Sequence, residues 1–524
     1  MTRRVTMGLM FYPRGGSAQV IRYLAAALDG KGWSTSVVCG SLGEPGDRRH
    51  AETFFSGLEV AAADYRPAIE AWEHGRDPIA EPVPMHPSYE DRPNVPDRVF
   101  AAVAPELEAH LARAWERLLA GTAARAPDVL HLGHLTPMHE AASRVLPRTP
   151  LVTHLHGTEL KMIDRVTRLN ALARSLGTDL AGMATRAEAG TPRAAATALL
   201  PAGELDPAHG LDASARALLS GTRWASWRHG AHWVAEMRRW AARSDRLMVI
   251  SPNDRDEAGR LLGVPPDKVD WIPNGVDLAR FRRFELSAEE RLARWRTWLV
   301  EEPLGWREGG EPGSVGYTEA QLERFIDSET GGPAPVLLFV GRFTEVKRIP
   351  LLVRAYARAR ERFVRRAPLV IWGGFPGEWE GEHAHTVVER EGIEDVFFLG
   401  WRDHDELPSG LACSDVMVMP SIDESFGQVF VEAMACGVPV IAARAGGPPS
   451  FINVDGGRPN GWLVEPDDVE NLADALVECV NDPAAGAERA RNGYESKRRE
   501  YSWETLAERV AGTYEAARDA RRQA

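Results

Sequence analysis

SIDESFGQVFVEAMACGVPVIAARAGG, residues 421–447, runs from a polar loop into a helical pattern and then into an apolar strand. It contains Glu424 and Glu432, eight residues apart, a spacing that would place both side chains near one face of a continuous helix. Gly427 interrupts between them, and Ser425 is suited to cap a helix that begins just after it. The pattern therefore predicts Glu424 in the loop and Glu432 about a turn and a half inside the helix.

A helix that begins beside Gly427 presents unpaired N–H groups and the positive end of its dipole, an arrangement that binds diphosphates. The glycine also removes a side chain where a ligand could approach the main chain. A carboxylate in the loop above such a helix end is costly in isolation. It becomes useful where it accepts hydrogen bonds from sugar hydroxyls. By itself this glutamate spacing is typical of a charged loop and an amphipathic helix, so its interpretation depends on the surrounding sequence.

Short apolar runs and segments with helical spacing alternate on both sides of this stretch, which predicts a parallel sheet covered by helices. Two further helices, 468–481 and 503–521, are predicted at the end of the chain. The predicted strands of this half are Val336–Val340, Leu369–Trp372, Val396–Leu399, Val416–Met419, Val438–Ala442 and Leu463–Val464.

The N-terminal half begins with a similar unit: an apolar strand at 4–11, a tight turn at Gly15 and Gly16, a helix and a second strand. This order is typical of the start of a doubly wound sheet. Trp233, Met237 and Trp240 recur at helical spacing, which predicts a core-facing helix surface. The other predicted strands are Thr35–Cys39, Val129–Leu132, Leu151–His154 and Leu247–Ile250.

Three segments, 60–100, 160–222 and 285–332, lack clear alternation of strands and helices. Residues 60–100 are rich in Pro, Glu and Asp and predict an insertion, either a long excursion or a poorly ordered loop. Residues 160–222 are alanine-rich and predict a partly helical insertion. The sequence thus predicts an α/β protein with two Rossmann-like, doubly wound domains. The predicted parts are an N-terminal domain at 1–284, a linker or insertion at 285–332, a C-terminal domain at 333–500, and a helix at 501–524.

Composition limits the function classes. The chain has 524 residues with 44% apolar and 26% charged side chains, enough for two large domains, and its formal charge of −13 argues against nucleic-acid or anionic-membrane binding. Four scattered cysteines without a CxxC pair predict buried thiols in a reducing compartment. The N-terminal apolar run is too short for a signal sequence, and no window approaches the roughly 18 apolar residues of a membrane span. We therefore expect a cytoplasmic protein without an integral membrane segment.

The stretch PSIDESFGQVFVEAMACGVPVIA closely resembles the donor-binding signature of the retaining glycosyltransferase family 4, whose members have the GT-B fold. Other segments resemble the family in the same order: LLFVGRFTEVKRIPLLVRAYARA (337–359), WIPNGVDLARF (271–281), LVTHLHGTEL (151–160), PDVLHLGH (127–134) and VFFLGW (396–401). The resemblance covers the C-terminal half nearly end to end, and the N-terminal half mainly at its strand ends. It implies that the two domains face a central cleft and that the helix at 501–524 packs back on the N-terminal domain.

This resemblance implies a donor site for a nucleotide-diphosphate sugar, UDP- or GDP-linked, in the C-terminal half. In the family, the counterparts of Arg342 and Lys347 contact the diphosphate in place of a metal ion, and physical reasoning agrees, since fixed cations stabilise a charged leaving group. Glu432 would bind the ribose hydroxyls, and Glu424 the sugar hydroxyls. The remaining predicted donor-binding residues are Gly16, Ser425, Phe426, Gly427 and Gln428, the last four acting with Glu424 through loop and backbone contacts.

On the acceptor side, the resemblance places His156 beside the anomeric centre, and His154, two residues earlier, could be confused with it. We therefore predict His156, Glu424, Arg342 and Lys347 as the catalytic residues. Weaker acceptor-side candidates are Gly15, Ser17, His134 and Glu159.

The implied reaction is transfer of a hexosyl group to a hydroxyl with retention at the anomeric carbon, by a front-face mechanism. A covalent glycosyl-enzyme on Glu424 is the less favoured alternative. No DxD motif stands in a matching context, and Asp467–Asp468 is better suited to cap a helix, so we predict no metal and no cofactor. The expected partners are a nucleotide sugar and a small-molecule or glycan acceptor, with a homodimer also open. Where the family commonly has Gly-Gly-x-Pro-Glu, this chain has Gly446, Gly447, Pro448, Pro449 and Ser450.

Two alternatives remain open at this point. One is a related GT-B enzyme, such as a phosphorylase or sugar-phosphate epimerase, although no convincing lysine for a pyridoxal phosphate is evident. The other is a nucleotide-sugar-binding protein with a degenerate site, against which the complete set of Arg342, Lys347, Glu424 and Glu432 argues.

Overall fold

The computed structural model describes residues 2–123, 126–189 and 211–523. The chain divides into two compact units. The first contains the residues up to Ile272 together with those from Ala507 onward, and the second contains Pro273–Leu506.

The first unit is built on a parallel sheet of seven strands in the order β3-β2-β1-β4-β5-β6-β7. The order reverses between β1 and β4, so the loops that follow these two strands diverge there, as at the ligand-binding edge of doubly wound sheets. The strands are β1 (Arg3–Leu9), β2 (Trp33–Ser41), β3 (Glu59–Asp64), β4 (Val129–Gly133), β5 (Leu151–His154), β6 (Arg246–Val249) and β7 (Val269–Trp271).

Helices connect these strands, and the longer ones bury an apolar face. In the last long helix before β6, Trp233, Met237 and Trp240 are fully buried, which confirms the predicted core-facing stripe. The described helices of this part of the chain are α1 (Gly15–Asp29), α2 (Ala51–Phe54), α3 (Arg66–Glu73), α4 (Glu108–Ala123), α5 (Met138–Val145), α6 (Thr158–Ser175), α7 (Leu180–Ala189), α8 (Ala213–Gly221), α9 (Gly230–Arg243) and α10 (Pro252–Leu262).

The second unit repeats the plan with six parallel strands in the order β10-β9-β8-β11-β12-β13, and its switch point lies between β8 and β11. Its strands are β8 (Leu337–Val340), β9 (Leu369–Trp372), β10 (Val396–Gly400), β11 (Val416–Met419), β12 (Val440–Ala443) and β13 (Gly461–Val464). Its described helices are α11 (Ala288–Arg296), α12 (Ile349–Ala359), α13 (Ala384–Glu391), α14 (Leu407–Ala412), α15 (Gln428–Ala435), α16 (Val469–Asn481) and α17 (Pro483–Glu500).

The prediction of a poorly ordered loop at 60–100 is wrong. This segment contains most of β3 and all of α3, and its irregular part buries Met85, His86 and Tyr89 in the core of the first unit. The pattern was missed because an edge strand and isolated buried side chains leave no regular periodicity. Of the predicted insertion at 160–222, residues 190–210 lie outside the described residues, and helices form much of the rest.

The segment 285–332, predicted as a linker or insertion, lies inside the second unit. Its aromatic side chains explain this position: Trp295 lies 5.4 Å from Trp298 and 5.2 Å from Phe325, and Trp298 lies 5.3 Å from Trp372 at the end of β9 (ring centroids). The observed division at 272/273 also comes earlier than the predicted boundary at 284.

A long helix, α18 (Trp503–Gln523), starts in the second unit, and its residues from Ala507 onward belong to the first. There the Tyr514 hydroxyl lies 2.6 Å from His131 Nδ1, and Arg521 pairs with Asp245 at 2.8 Å. All four cysteines are buried and unbridged. Across residues 2–123, 126–189 and 211–523, no helix combines the length and apolar character needed to span a membrane.

Candidate functional site

The loops after β8 and β11 meet at the switch point of the second sheet, and each carries a predicted charged residue. Lys347 Nζ pairs with the Glu424 carboxylate and lies 3.8 Å from Met419 Sδ. The two charged side chains expose only 18% and 19% of their surface. Because sheltered charges are costly without partners, each one holds the other in place. Arg342, from the same loop as Lys347, is exposed.

The start of α15 differs from the prediction in one respect. Gly427, not Ser425, caps this helix, with a left-handed φ of 91° and no side-chain cap hydrogen bond. A Cβ at Gly427 would lie 2.6 Å from Phe430 Cδ2 and 3.2 Å from Glu424 Cγ, so the tight turn requires glycine. The predicted Ser425 cap is therefore wrong, and the first turn of α15 has no side chain capping its N–H groups.

Glu432 lies inside α15 as predicted and is 4% exposed. Its Oε1 lies 3.0 Å from Nε2 of His404, whose ring centroid is 5.2 Å from that of Phe281. His404 belongs to the loop after β10, and sequence analysis did not single it out, since nothing distinguished it from the other histidines. The pair gives this site a second carboxylate, held by an imidazole rather than an ammonium group.

Two glycines after β12 support the loop that carries Glu424. Gly447 N donates to the Glu424 carbonyl at 2.7 Å, and a Cβ on Gly446, whose φ is 63°, would lie 2.2 Å from that same oxygen. A Cβ on Gly447 would lie 2.5 Å from the Ser425 carbonyl oxygen. The two loops are therefore in direct main-chain contact.

Two other predicted donor residues, Phe426 and Gln428, have side chains that contact the protein itself. Phe426 is 3% exposed and its ring packs against Phe451 and Tyr501, so only its main chain is available to a ligand. Gln428 Nε2 donates to the Gly275 carbonyl at 2.6 Å, which ties the start of α15 to the segment WIPNGVD.

One group of side chains in the described part of the chain could hold a metal ion: Glu108, His232 and Glu236, on α4 and α9 of the first unit. Arg239 already pairs with both of its carboxylates. Asp468, which the sequence suggested as a helix cap, does accept a hydrogen bond from Asn471 N at the start of α16.

In the first unit, histidines gather where β4 and β5 end. The ring centroid of His156 lies 4.6 Å from that of His134 and 4.3 Å from that of His154. Glu159, fully buried, accepts the His156 N–H at 3.1 Å, and its Oε2 lies 3.3 Å from His134 Nδ1. Three of the predicted residues, His134, His156 and Glu159, are thus brought together, and His156 is more exposed than His154.

Burial and the neighbouring imidazoles lower the pKa of His154 and His156 well below the usual range, and burial lowers the pKa of His131 to about 4. These three imidazoles are therefore uncharged near neutral pH. They can donate or accept hydrogen bonds, depending on the tautomer.

Arg14, in the loop after β1, belongs to a second group of polar residues, together with His86 and Asp97, which sequence analysis did not predict. Phe11 packs at 4.8 Å from His86 and 5.1 Å from His134 (ring centroids). Arg14 pairs with Asp97, and burial, which favours the neutral carboxyl, is outweighed by nearby positive groups, so the pKa of Asp97 is lowered. Gly15, Gly16 and Ser17 form the first turn of α1, and added Cβ atoms on the two glycines would meet open space.

Family comparisons agree with this architecture. A family model described as Glycosyl transferases group 1 matches residues 323–499, and one described as Glycosyltransferase Family 4 matches residues 206–280. The chain is similar to the group 1 glycosyltransferases over residues 323–499 and to glycosyltransferase family 4 over residues 206–280. The first of these matches contains the Lys347–Glu424 pair, Glu432 and His404.

Among curated relatives, the D-inositol 3-phosphate glycosyltransferase 2 of Catenulispora acidiphila is 34% identical over 277 residues, which are 52% of this chain and 56% of that protein. The D-inositol 3-phosphate glycosyltransferase of Corynebacterium jeikeium is 38% identical over 213 residues, 39% of this chain and 48% of that one. The chain thus spans about half the length of the curated relatives that it matches.

Among solved structures, the catalytic domain of starch synthase IV from Arabidopsis thaliana, bound to ADP and acarbose, aligns with a TM-score of 0.59 at 15% identity over 99% of both chains. Anabaena HepE in complex with UDP and glucose aligns with a TM-score of 0.53 at 17% identity, covering 97% of this chain and 98% of that one. At this identity the likeness shows that the fold family, GT-B, is shared.

The buried histidines should make the first unit less stable in acid. In the unfolded chain His131 binds a proton below its ordinary pKa near 6.5, whereas burial lowers its pKa in the folded chain to about 4. The free energy of unfolding therefore falls as the pH falls across this window. We expect His131→Asn to remove a contribution of up to about 1.4 kcal/mol per pH unit. Urea unfolding at several pH values across this window measures the pH dependence of the free energy of unfolding. The same substitution at exposed His74 serves as control, and an unchanged slope in His131→Asn would contradict the assignment.

The contact of Gly446 with the Glu424 main chain gives a second prediction. Gly446→Ala should displace residues 422–428, because the new methyl group overlaps the Glu424 carbonyl, and amide hydrogen exchange there should accelerate about tenfold or more. Gly456→Ala is the matched control: its φ is 80°, but a Cβ there meets open space, so it adds backbone strain without overlap. Equal exchange in residues 422–428 of both variants would refute the bracing role.

Proposed function

We propose that this protein is a retaining, metal-independent glycosyltransferase that moves a hexosyl group from a nucleotide-diphosphate sugar to a hydroxyl acceptor. The observation that carries the proposal is the convergence of Lys347, Glu424 and the Glu432–His404 pair around the start of α15, at the switch point of the second sheet. Charged groups and an uncapped helix end at this place suit a diphosphate and a sugar.

The donor residues would act in turn. Lys347 and Arg342 would bind the diphosphate oxygens and stabilise the charge that develops as the glycosidic bond breaks. Once Lys347 is engaged by phosphate, Glu424 is released to accept sugar hydroxyls. Glu432, kept in place by His404, would accept the ribose hydroxyls, and the main-chain N–H groups at Phe426–Gln428 would add contacts at the helix start.

The chemical step would proceed on one face of the sugar. The bond between the anomeric carbon and the phosphate oxygen breaks, the acceptor oxygen bonds to the same carbon from the same side, and the departing phosphate takes the acceptor's proton. His156 would orient the reacting groups as a neutral hydrogen-bonding partner, consistent with its lowered pKa. A general base from the protein is not required.

The donor would carry UDP or GDP. HepE and starch synthase IV, whose fold this chain shares, have been solved with UDP and ADP, which supports a nucleoside diphosphate as leaving group without identifying its base. The curated relatives are named as D-inositol 3-phosphate glycosyltransferases. A cyclic polyol or glycan is therefore a reasonable class of acceptor for the first unit, whose neutral histidines and buried Glu159 could bind hydroxyl groups.

The two donor-side glutamates should differ in their effects. Glu432→Ala should weaken nucleoside diphosphate binding about 10- to 100-fold, because hydrogen bonds to a charged group are lost. Glu424→Ala should leave that affinity nearly unchanged and lower kcat by about 100-fold or more. Calorimetry and single-turnover kinetics separate the two, with exposed Glu488→Ala on α17 as control. Equal losses of nucleotide affinity from both variants would count against this division of roles.

Metal independence has its own test. Since Lys347 and Arg342 are proposed to supply the positive charge at the diphosphate, turnover should be unchanged by a chelator and by added Mg²⁺ or Mn²⁺. Lys347→Ala should lower kcat by about 100-fold. Loss of turnover on chelation, restored by a divalent ion, would refute the metal-free mechanism. A protein that binds nucleotide sugars and never turns them over would favour the degenerate binding alternative.

A further inference from the structure

Trp306 is a buried residue of the segment 285–332, and it lies outside both stretches of the chain that the family models match. The residue exposes 1% of its surface, and its ring belongs to an aromatic cluster in the second unit. Its ring centroid lies 5.4 Å from that of Phe343, 4.5 Å from that of His383 and 5.8 Å from that of Trp379. The segment therefore contributes a large ring to the packing around the loop after β8.

The main chain beside Trp306 is fixed by close contact with the end of β10. A Cβ on Gly305 would lie 2.3 Å from the Phe398 carbonyl oxygen, and a Cβ on Gly400 would lie 2.0 Å from that of Leu304. Both distances are far below van der Waals contact, so the two stretches of main chain touch directly. The end of β10 thus determines where the Trp306 indole lies.

Phe343, against which Trp306 packs, directly follows Arg342 in the chain. The two rings are stacked, with an angle of 26° between their planes. In the loop after β9, a Cβ on Gly374 would lie 2.5 Å from the Phe343 ring, which is itself 5% exposed. Trp306 and the main chain at Gly374 therefore both pack against this ring, and removal of the indole would leave a cavity beside it.

Arg342 extends from a main chain that is held on both sides. Gly341 N donates to the Trp372 carbonyl oxygen at 3.0 Å, and the Phe343 carbonyl oxygen accepts the Glu380 N–H at 2.8 Å. The Arg342 side chain is exposed, so its placement depends on the main chain from which it extends. The packing of Phe343 therefore bears directly on the position of the neighbouring guanidinium group.

We propose that Trp306 is a positioning residue for Arg342 and acts through Phe343. The inference rests on the proposed function, in which Arg342 binds the diphosphate of the donor. Without the indole, Phe343 would move into the vacated space and displace the main chain at Arg342. Because a charged hydrogen bond depends on distance and angle, this displacement would weaken diphosphate binding. Lys347 is held separately by Glu424 and should be affected less.

Calorimetry with inorganic pyrophosphate and UDP tests the proposal on the full chain. Trp306→Leu should weaken the binding of both ligands about 10-fold, as expected when one hydrogen bond to a charged group is lost. Trp306→Phe should bind both nearly as tightly as the wild type, because it keeps a ring. Within the described residues the Trp306 N–H has no hydrogen-bond partner that this variant would lose. Phe343→Leu, which removes the same stack from the other side, should reproduce the loss of affinity.

Trp295→Leu is the matched control for a general loss of packing. It removes another indole of the same segment that is 1% exposed, and the ring contacts of Trp295 are with Trp298 and Phe325. Like Trp306→Leu, this variant should lower the urea midpoint of unfolding, but its affinity for pyrophosphate should stay unchanged. An equal loss of affinity in both variants would overturn the inference.

A double-mutant cycle identifies the residue through which Trp306 acts. In an Arg342→Ala background, Trp306→Leu should weaken pyrophosphate binding much less than it does in the wild type, since the group that it positions is absent. An undiminished effect in that background, or unchanged affinity in Trp306→Leu alone, would refute the positioning role and leave the proposed function intact. If the wild type bound neither pyrophosphate nor UDP, the proposed function itself would fail.

Discussion

The main-chain contact between two loops of the second unit fixes the geometry of the donor-side groups. The loop after β12 approaches the loop before α15 so closely that Gly446 and Gly447 leave no room for a Cβ against the Glu424 and Ser425 carbonyls. That contact fixes the position of the Glu424 main chain, and thereby allows the Glu424 carboxylate to pair with Lys347. In the family's usual Gly-Gly-x-Pro-Glu pattern this chain keeps both glycines and the proline, Pro449, and has Ser450 in place of the glutamate. The contact between the two loops is therefore retained while a neighbouring carboxylate is lost.

The sequence could predict the elements that repeat a regular pattern. Most buried strands were predicted within one or two residues, because a parallel sheet covered on both faces requires continuous apolar runs. β3 and β7 were missed: β3 is an alanine-rich edge strand, and β7 has three residues. Helix α17 was also missed, since its many charged side chains and few buried ones give a weak amphipathic pattern.

For the site, sequence motifs located the charged residues but not their partners. Glu424, Glu432 and Lys347 stand in a recognisable spacing, whereas His404, Arg14 and Asp97 are ordinary residues until folding pairs His404 with Glu432 and Arg14 with Asp97. Their contacts join segments far apart in the chain, and a single sequence carries no signal for such pairs. The cap at Gly427 rather than Ser425 shows the same limit locally, because a left-handed turn and a side-chain cap both fit the letters Ser-Phe-Gly.

The route of the chain has a consequence for biosynthesis. The sheet of the first unit is complete at β7, but that unit still needs the residues from Ala507 onward, among them Tyr514, which packs its ring 4.9 Å from Trp33 and bonds His131. The whole second unit is synthesised in between, which at roughly 5–20 residues per second takes about 10 to 50 seconds. During that interval the nascent first unit exposes the apolar surface around Trp33. That surface is buried only after the last helix, α18, has been synthesised.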